Sequence, residues 1–180
     1  MTAVVQVCYA TTDIEATARS LADIDGVGPF FLGQFPLSGL VYRGAMVDYG
    51  AIKVGFAYYG DLQYELIEAP AGVPSCYAEV LDGRREAVHH TYMSRTENYD
   101  EVVDRYARAG EPLVYNGLAG DNVRFGFIDA RPRLGHFVEV LETEKIVGPG
   151  AAIYDLYAKI KETSRSWVGD RPVRDMAELA

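Results

Sequence analysis

The feature that most constrains this chain is a short motif that occurs twice, an apolar strand with one glutamate inside it. It reads YELIE at residues 64–68 and VEVLE at residues 138–142. Alternate side chains of a β-strand point to opposite faces, so Glu65 and Glu139 each share a face with an apolar residue two positions on. An acid on such a face costs free energy unless its charge is compensated. Two acids at matching places predict one shared compensation, and a metal cation is the simplest candidate.

The repeat extends upstream of both glutamates. Each half begins with a strand-like run, continues with a polar residue that starts a helical run, and breaks that helix at a glycine. In both halves, the residue that starts the helical run lies seven residues after a polar residue of the first strand, and the glycine lies twenty residues after that same polar residue. The matched pairs are Gln6 with His90, Asp13 with Glu97, and Gly26 with Gly110. Because order, spacing and residue type agree together, we predict a tandem duplication of one strand–helix–strands unit.

Proline- and glycine-containing breaks in the sequence predict how the chain is divided. Residues 1–72 form the first module, residues 73–86 a linker, and residues 87–143 the second module. The Pro- and Gly-containing run APAGVP at residues 69–74 marks the boundary between the first module and the linker. Residues 144–180 have no counterpart in the first half. They are predicted to break at residues 148–150, to form a helix over residues 153–166 and to end as a surface arm. The fold class is therefore α+β with an added C-terminal helical tail.

Composition excludes several classes of protein. The chain has 180 residues, 49% of them hydrophobic, and a net charge of −9 that argues against nucleic acid as a partner. No run approaches the ~18 apolar residues of a membrane span, and the first residues carry no targeting pattern. Two cysteines are too few for a disulfide framework, and neither has the spacing of a metal ligand. We expect a soluble cytoplasmic protein.

Each half offers one polar residue in its first strand and one glutamate in its last, namely Gln6 and Glu65, then His90 and Glu139. If the halves pack side by side about a pseudo-twofold axis, these four side chains converge. Three oxygen ligands and one imidazole suit a divalent cation, with Zn, Ni, Co, Mn and Mg as the alternatives. We therefore predict that these four residues bind one divalent metal ion. Strand alternation places His89 on the face opposite His90, so His89 is predicted to stay outside the site.

Over roughly residues 4–143, these motifs resemble those of the vicinal oxygen chelate superfamily, which includes glyoxalase I, methylmalonyl-CoA epimerase, extradiol dioxygenases and antibiotic resistance proteins. The first-strand ligand seven residues before a helix-starting Asp is matched by Gln6 and Asp13, the last-strand glutamate by Glu65 and Glu139, and the second-half histidine by His90. The resemblance implies paired βαβββ modules that form a curved, cup-like, open mixed sheet around one divalent ion. The ligands resemble the Gln, Glu, His and Glu set of the eukaryotic-type glyoxalase I.

The resemblance also implies a reaction class. Members of the superfamily chelate a substrate through adjacent oxygens, and the metal then stabilises an oxyanion or enolate. With two glutamates at the metal, the natural reaction is proton abstraction next to a carbonyl. Glu139 is the first candidate for the base and Glu65 for its partner on the opposite face. The chain is then an isomerase, an epimerase or a glyoxalase-type lyase.

Three alternatives stay open. An extradiol dioxygenase is less favoured, because its iron site resembles two histidines with one carboxylate. A non-catalytic binding protein of the superfamily is also less favoured, because such proteins generally lack the ligand set. In a purely structural alternative, the two acids pair with basic residues. The candidates for that pairing are Arg43, Lys53, Arg84, Arg85 and Arg124.

The substrate and the assembly are less determined. Aromatic residues spread over the predicted strands favour an apolar or aromatic substrate. Arg43 and Arg124 lie at similar places in the two halves. Their positions favour instead an acyl thioester substrate, whose phosphate they would contact. In the alternative, both arginines are solvated strand residues. The strand edges of the two modules, together with an apolar stripe over residues 153–160, predict a homodimer in which the tail helix packs on the core or on the other subunit.

Overall fold

The computed structural model describes residues 3–93, 98–119, 123–143 and 152–179, and it contains two βαβββ modules and a C-terminal helix. The first module comprises β1 (Val4–Thr11), α1 (Ile14–Asp25), β2 (Phe30–Tyr42), a short β3 (Ala45–Met46), β4 (Ala51–Tyr59) and β5 (Leu62–Glu68). After α2 (Cys76–Leu81), the second comprises β6 (Glu86–Met93), α3 (Tyr99–Arg108), β7 (Leu113–Ala119), β8 (Val123–Ile128), the short α4 (Arg131–Leu134) and β9 (Phe137–Leu141). The tail comprises α5 (Ala152–Ser166), β10 (Val173–Asp175) and a 3₁₀ helix (Met176–Leu179). The predicted α+β fold class with tandem modules is confirmed.

The two module helices begin on side-chain caps. Asp13 accepts a hydrogen bond from the Ala16 backbone N–H at 3.0 Å, as predicted for the start of α1. The cap of α3 is Asn98, which accepts from the Glu101 backbone N–H at 2.9 Å. Glu97, the predicted counterpart of Asp13, lies outside the described residues. The cap of α3 therefore stands eight residues after His90 instead of seven.

The ten strands that the structure describes belong to one mixed sheet. Its main path runs β2-β4-β5-β1-β6-β9-β8-β7, and β7 pairs back onto β2, so eight strands form a closed ring. The modules meet where β1 and β6 pair antiparallel. Within each module, the first and last strands pair parallel, β1 with β5 and β6 with β9. The curved mixed sheet is thus confirmed, but its open edge is not.

The ring closes because β2 is long enough to serve two neighbours. Residues 31–36 pair with β4, and residues 37–42 pair with β7. The register shifts between Ser38 and Val41, where Gly39 has a φ of 58° that an L side chain rarely adopts. The strand edges on which the homodimer was predicted are therefore partly paired within the chain. The homodimer stays a prediction.

The segments outside the modules are more ordered than expected. The predicted linker contains α2, and the predicted surface arm contributes β10, which pairs parallel with β2. Helix α5 packs on its own core: Ile160 is fully buried, and the Tyr58 backbone N–H donates to Ser164 Oγ at 3.2 Å. The break predicted at residues 148–150 lies outside the described residues. None of the described helices is both long and apolar enough to cross a membrane.

Candidate metal centre

The four predicted ligands lie on neighbouring strands and line one cavity inside the ring. Gln6 and Glu65 come from β1 and β5, and His90 and Glu139 come from β6 and β9. Cys8 is the partner of Glu65 in the parallel β1–β5 pairing and of His90 in the antiparallel β1–β6 pairing. The central strands of the two modules thus bring the four side chains to the same interior face. This is the convergence that the repeat predicts.

Both glutamates are aimed at one imidazole nitrogen. His90 Nε2 lies 3.2 Å from Glu65 Oε2 and 3.6 Å from Glu139 Oε2. The His90 side chain is fully buried, and the Glu65 and Glu139 side chains are only 13% and 15% exposed. Two carboxylates in so little water need positive charge nearby. A single imidazole supplies at most one positive charge.

The pKa values report this excess of negative charge. Burial raises the pKa of Glu139 to about 7, attraction to His90 opposes the rise, and repulsion by Glu65 adds to it. Burial lowers the pKa of His90, but attraction to Glu139 and contact with Glu65 outweigh burial and raise that pKa above its ordinary value. Glu139 and His90 therefore keep their protons to higher pH than usual. This indicates a place where a cation would be stabilised.

Gln6 is held by a relay of side-chain amides. Gln6 Nε2 donates to Gln63 Oε1 at 2.7 Å, and Gln63 Nε2 donates to Tyr58 Oη at 2.9 Å. This relay leaves Gln6 Oε1 buried and without a hydrogen-bond partner among the described residues. A buried carbonyl oxygen with a free lone pair is the atom that a divalent ion would use. Sequence reasoning missed the orienting role of Gln63, although its position two residues before Glu65 places it on the same face.

The prediction that His89 faces away from His90 is wrong. Cys8 is opposite His90, whereas the next residue, Tyr9, is opposite Val88, so His89 is an extra residue in a β-bulge. The bulge interrupts the alternation, and His89 Nδ1 lies 2.8 Å from His90 Nδ1. Burial, followed by repulsion from His90, lowers the pKa of His89 well below its ordinary value. This contact between the two Nδ1 atoms turns His90 Nε2 toward the glutamates. With a neutral His89 as the acceptor and His90 Nδ1–H as the donor, His90 Nε2 would be the nitrogen available to a metal ion once it has lost its proton.

A second set of possible ligands shares His90. Ligand atoms of Cys8, His89 and His90 all lie within 4.8 Å of one another, and all three residues are buried. A thiol binds metal as the thiolate, but burial, followed by repulsion from Glu65, raises the pKa of Cys8 well above its ordinary value. The strand register brings Cys8 to this place, and its position two residues after Gln6 is the signal in the sequence. The oxygen-rich set differs from this group in that its two carboxylates can carry negative charge.

The structural alternative, in which basic residues neutralise the two glutamates, does not match the ion pairs. Arg43 contacts Glu79 and Asp129 at 2.8 and 3.2 Å. Arg124 contacts Asp100 at 2.8 Å and Glu142 at 2.7 Å. The other candidates have partners elsewhere: Lys53 contacts Glu15 and Glu68, Arg84 donates to the carbonyls of Val80 and Leu81, and Arg85 contacts Glu86. In the described ion pairs, Glu65 and Glu139 contact His90 and neither a lysine nor an arginine.

The cavity around the cluster has a volume of about 710 Å³. Its wall is mostly apolar and comes from strands of both modules and from α5. Tyr157 of α5 packs edge-on against Phe56, with ring centroids 5.1 Å apart. Burial, followed by repulsion from Glu65 and Glu139, raises the pKa of Tyr157, so its phenol is neutral. The tail thus adds a wall, which carries the neutral Tyr157 phenol, to a site lined by the duplicated core.

Comparisons with known proteins give likeness in structure only. No protein-family model matches the chain, and no curated protein matches it. The chain is similar to hypothetical protein BH1468 from Bacillus halodurans C-125, with a TM-score of 0.52 and 17% identity over 78% of this chain and 93% of that one. It is also similar to methylmalonyl-CoA epimerase from Mycobacterium tuberculosis, with a TM-score of 0.49 and 22% identity over 77% of this chain and 85% of that one. A methylmalonyl-CoA epimerase in complex with methylmalonyl-CoA gives a TM-score of 0.49 and 16% identity over 78% of this chain and 94% of that one.

These likenesses concern the fold and not the reaction. The paired modules, the parallel first and last strands and the interior site are the features that the resemblance to the vicinal oxygen chelate superfamily implies. The strand order of this chain shows all three. At the level of the fold, the resemblance to that superfamily is confirmed.

Proposed function

We propose that this chain is a divalent-metal-dependent enzyme that removes a proton from a carbon next to a carbonyl group. It then returns the proton to the same or a neighbouring carbon, as an isomerase or epimerase does, or completes a glyoxalase-type lyase reaction. One observation carries the proposal: two carboxylates that are only 13% and 15% exposed lie close to a single buried imidazole nitrogen in a cavity. Such a cluster binds a cation and places a base beside it.

His90 and the two glutamates offer ligand atoms to a divalent ion. Ligand atoms bound at about 2.0–2.2 Å from one ion lie roughly 3–3.5 Å from one another, close to the 3.2 and 3.6 Å that separate His90 Nε2 from the two carboxylates. Among the described residues, the histidine, cysteine and carboxylate ligand atoms that already lie within 4.8 Å of one another in a group of three or more are those of Cys8, His89 and His90, so a bound ion would have to draw the two carboxylates closer together. Gln6 Oε1 would complete the set. The oxygen-rich donors leave Zn, Ni, Co, Mn and Mg as alternatives. When bound, the ion would supply Lewis-acid polarisation of the substrate carbonyl.

The remaining chemistry belongs to the chain's own residues. Glu139 is the proposed base: the C–H bond breaks, its proton goes to the Glu139 carboxylate, and its electron pair moves toward the carbonyl oxygen. A pKa raised to about 7 by burial suits a carboxyl group that takes a proton and gives it back near neutral pH. Glu65 is the proposed partner on the opposite face of the substrate: when the product has the inverted configuration, a protonated Glu65 gives its own proton to the carbon, and the proton held by Glu139 goes to solvent. His89 holds the orientation of His90.

The test is exchange of the substrate proton with solvent deuterium, followed by NMR on a panel of carbonyl compounds that includes methylmalonyl-CoA and neutral aromatic ketones. Metal-loaded wild-type protein is expected to exchange the proton next to the carbonyl. Glu139→Gln keeps an oxygen ligand but removes the base, so it is expected to retain metal and lose exchange. Glu162→Gln, on the exposed part of α5, is the control and is expected to exchange at the wild-type rate.

Two results would contradict the assignment. If Glu139→Gln binds metal and exchanges at the wild-type rate, Glu139 is a ligand only and Glu65 becomes the candidate base. If no carbonyl compound exchanges in any variant and oxygen is consumed with a catechol instead, the protein is a dioxygenase.

A further inference from the structure

The wall of the cavity is built for an apolar molecule. A volume of about 710 Å³ holds a ligand of drug-like size. Phe35, Ile52, Phe125 and Leu141 are among the many apolar side chains of the wall. The β2–β7 pairing and α5 enclose these side chains on sides that an open cup would leave to solvent. Where a ligand inside touches the wall, it therefore contacts mainly hydrocarbon.

The wall offers no free positive charge in the part of the chain that the structure describes. Lys161 is its only lysine or arginine there, and Lys161 Nζ lies 2.7 Å from Asp61 Oδ1. Arg43 and Arg124, the residues considered above for a thioester phosphate, do not line the cavity and are engaged by carboxylates. A phosphate or carboxylate group needs arginine, lysine or a cluster of backbone N–H donors. At the metal-ligand cluster, the two glutamates would neutralise the charge of a divalent ion. A negatively charged part of a ligand would therefore meet no net counter-charge among the described residues of the wall.

Polar groups that point into the cavity are concentrated where the chemistry is proposed. The polar lining residues that the structure describes are the metal-ligand cluster, Gln63, five tyrosines that include Tyr157 of α5, and the paired Asp61 and Lys161. A ligand with a single carbonyl oxygen satisfies these groups and leaves the apolar wall to the rest of its skeleton. A ligand with several polar groups would lose water at positions where the wall gives nothing in return.

We propose that this cavity takes an uncharged, largely apolar carbonyl compound, such as an aromatic or alicyclic ketone, and that acyl-CoA thioesters and carboxylates are excluded. This assignment of a substrate class rests on the proposed function, because the carbonyl is placed at the metal-ligand cluster.

Two matched probes test the substrate class. 2-Acetylnaphthalene is a neutral aromatic ketone, and 6-acetyl-2-naphthoate is the same skeleton with one carboxylate. Titration calorimetry on the metal-loaded full chain is expected to show binding of the ketone, with the carboxylate at least about tenfold weaker because its charge enters unpaired. Methylmalonyl-CoA, the third probe, is expected to bind no better than the carboxylate.

A pair of variants on α5 locates the binding. Ala158 lines the cavity, so Ala158→Trp fills it and is expected to weaken the ketone at least about tenfold while metal content stays at the wild-type level. Ala152→Trp lies on the exposed start of the same helix, away from the wall, and is expected to leave both unchanged.

The outcomes separate this inference from the proposed function. If the ketone binds as described but the protein takes up no metal and exchanges no proton, the substrate class stands and the proposed function fails. If metal is bound and only methylmalonyl-CoA exchanges its proton, the proposed function stands and the substrate class is overturned. Equal binding of the two naphthalene probes, or no binding of the ketone, also overturns it.

Discussion

The two modules place equivalent residues at equivalent positions, but they orient their ligands by different means. In the first module, Gln6 is fixed by the amide of Gln63, which is bonded in turn to Tyr58. In the second module, His90 is fixed by His89, its neighbour in sequence, through a bulge in β6. In the first module, the residues that orient the ligand lie on two other strands. In the second module, the orienting residue lies on the same strand as the ligand.

This difference shows which part of a duplicated site the repeat preserves. The strand register preserves where a ligand stands, because β1 pairs with β5 as β6 pairs with β9. It does not preserve the second layer, because an amide ligand and an imidazole ligand need different partners. An amide needs its nitrogen engaged so that its oxygen is presented. An imidazole needs an acceptor at one nitrogen so that the other is free.

The largest effect is expected from His90→Ala. His90 is the one ligand in contact with both glutamates, and without it two buried carboxylates face each other with no positive group between them. We expect metal affinity to fall by more than about 100-fold, beyond the range caused by loss of a supporting residue. Competition with a chromophoric chelator measures the affinity. Gln6→Ala is the matched variant of the first module, and it is expected to lose less because it removes a neutral ligand. Equal losses would mean that the modules contribute alike.

His89→Phe tests whether His89 orients the ligand of the second module, His90. The His89 ring packs against Tyr77, Phe127 and Phe137 at centroid distances of 4.7, 4.8 and 5.0 Å, so a phenylalanine keeps the packing. It removes the acceptor for His90 Nδ1–H, and we expect a loss of metal affinity of about 10- to 100-fold with little change in melting temperature. Unchanged metal affinity would show that His89 is packing alone.

Gln63→Leu tests the first-module device and is expected to have a smaller effect. Without the Gln63 acceptor, the Gln6 amide is free to rotate, and its oxygen is presented only part of the time. A loss of about tenfold in metal affinity is expected, at the low end for a supporting residue. The same chelator competition measures it. If Gln63→Leu lost more metal affinity than His89→Phe, Gln63 would be the more important of the two orienting residues.

The smallest effect concerns stability and a pair of equivalent glycines. Gly55 and Gly126 each stand one residue before a phenylalanine that pairs with a site glutamate. A Cβ on Gly126 would lie 2.7 Å from the backbone oxygen of Tyr115, whereas a Cβ on Gly55 would meet only side-chain atoms, above all a methyl group of Leu32. Because a backbone atom yields less, we expect Gly126→Ala to lower the free energy of unfolding by about 1 kcal/mol more than Gly55→Ala in denaturant titrations. The reverse order would show that β8 adjusts more easily than β4.

Much of the fold and the positions of the proposed ligands follow from the sequence, because they depend on the repeat. The repeated strand motif identifies Glu65 and Glu139, and matched spacing identifies Gln6 and His90. Parallel pairing of the first and last strands places them together. The role of His89 was not predictable, because alternation assumes regular pairing and the bulge in β6 breaks it. Closure of the ring depends on the length of β2, which the sequence does not delimit.

The central claim is that the chain binds its metal ion through Gln6, Glu65, His90 and Glu139 rather than through Cys8, His89 and His90. X-ray absorption of the zinc- or cobalt-loaded protein tests it most directly. We predict one equivalent of metal with a first shell of nitrogen and oxygen at about 2.0–2.2 Å and the scattering of a single imidazole. A sulfur shell at about 2.3 Å, the scattering of two imidazoles, or failure of the protein to take up metal would contradict the claim.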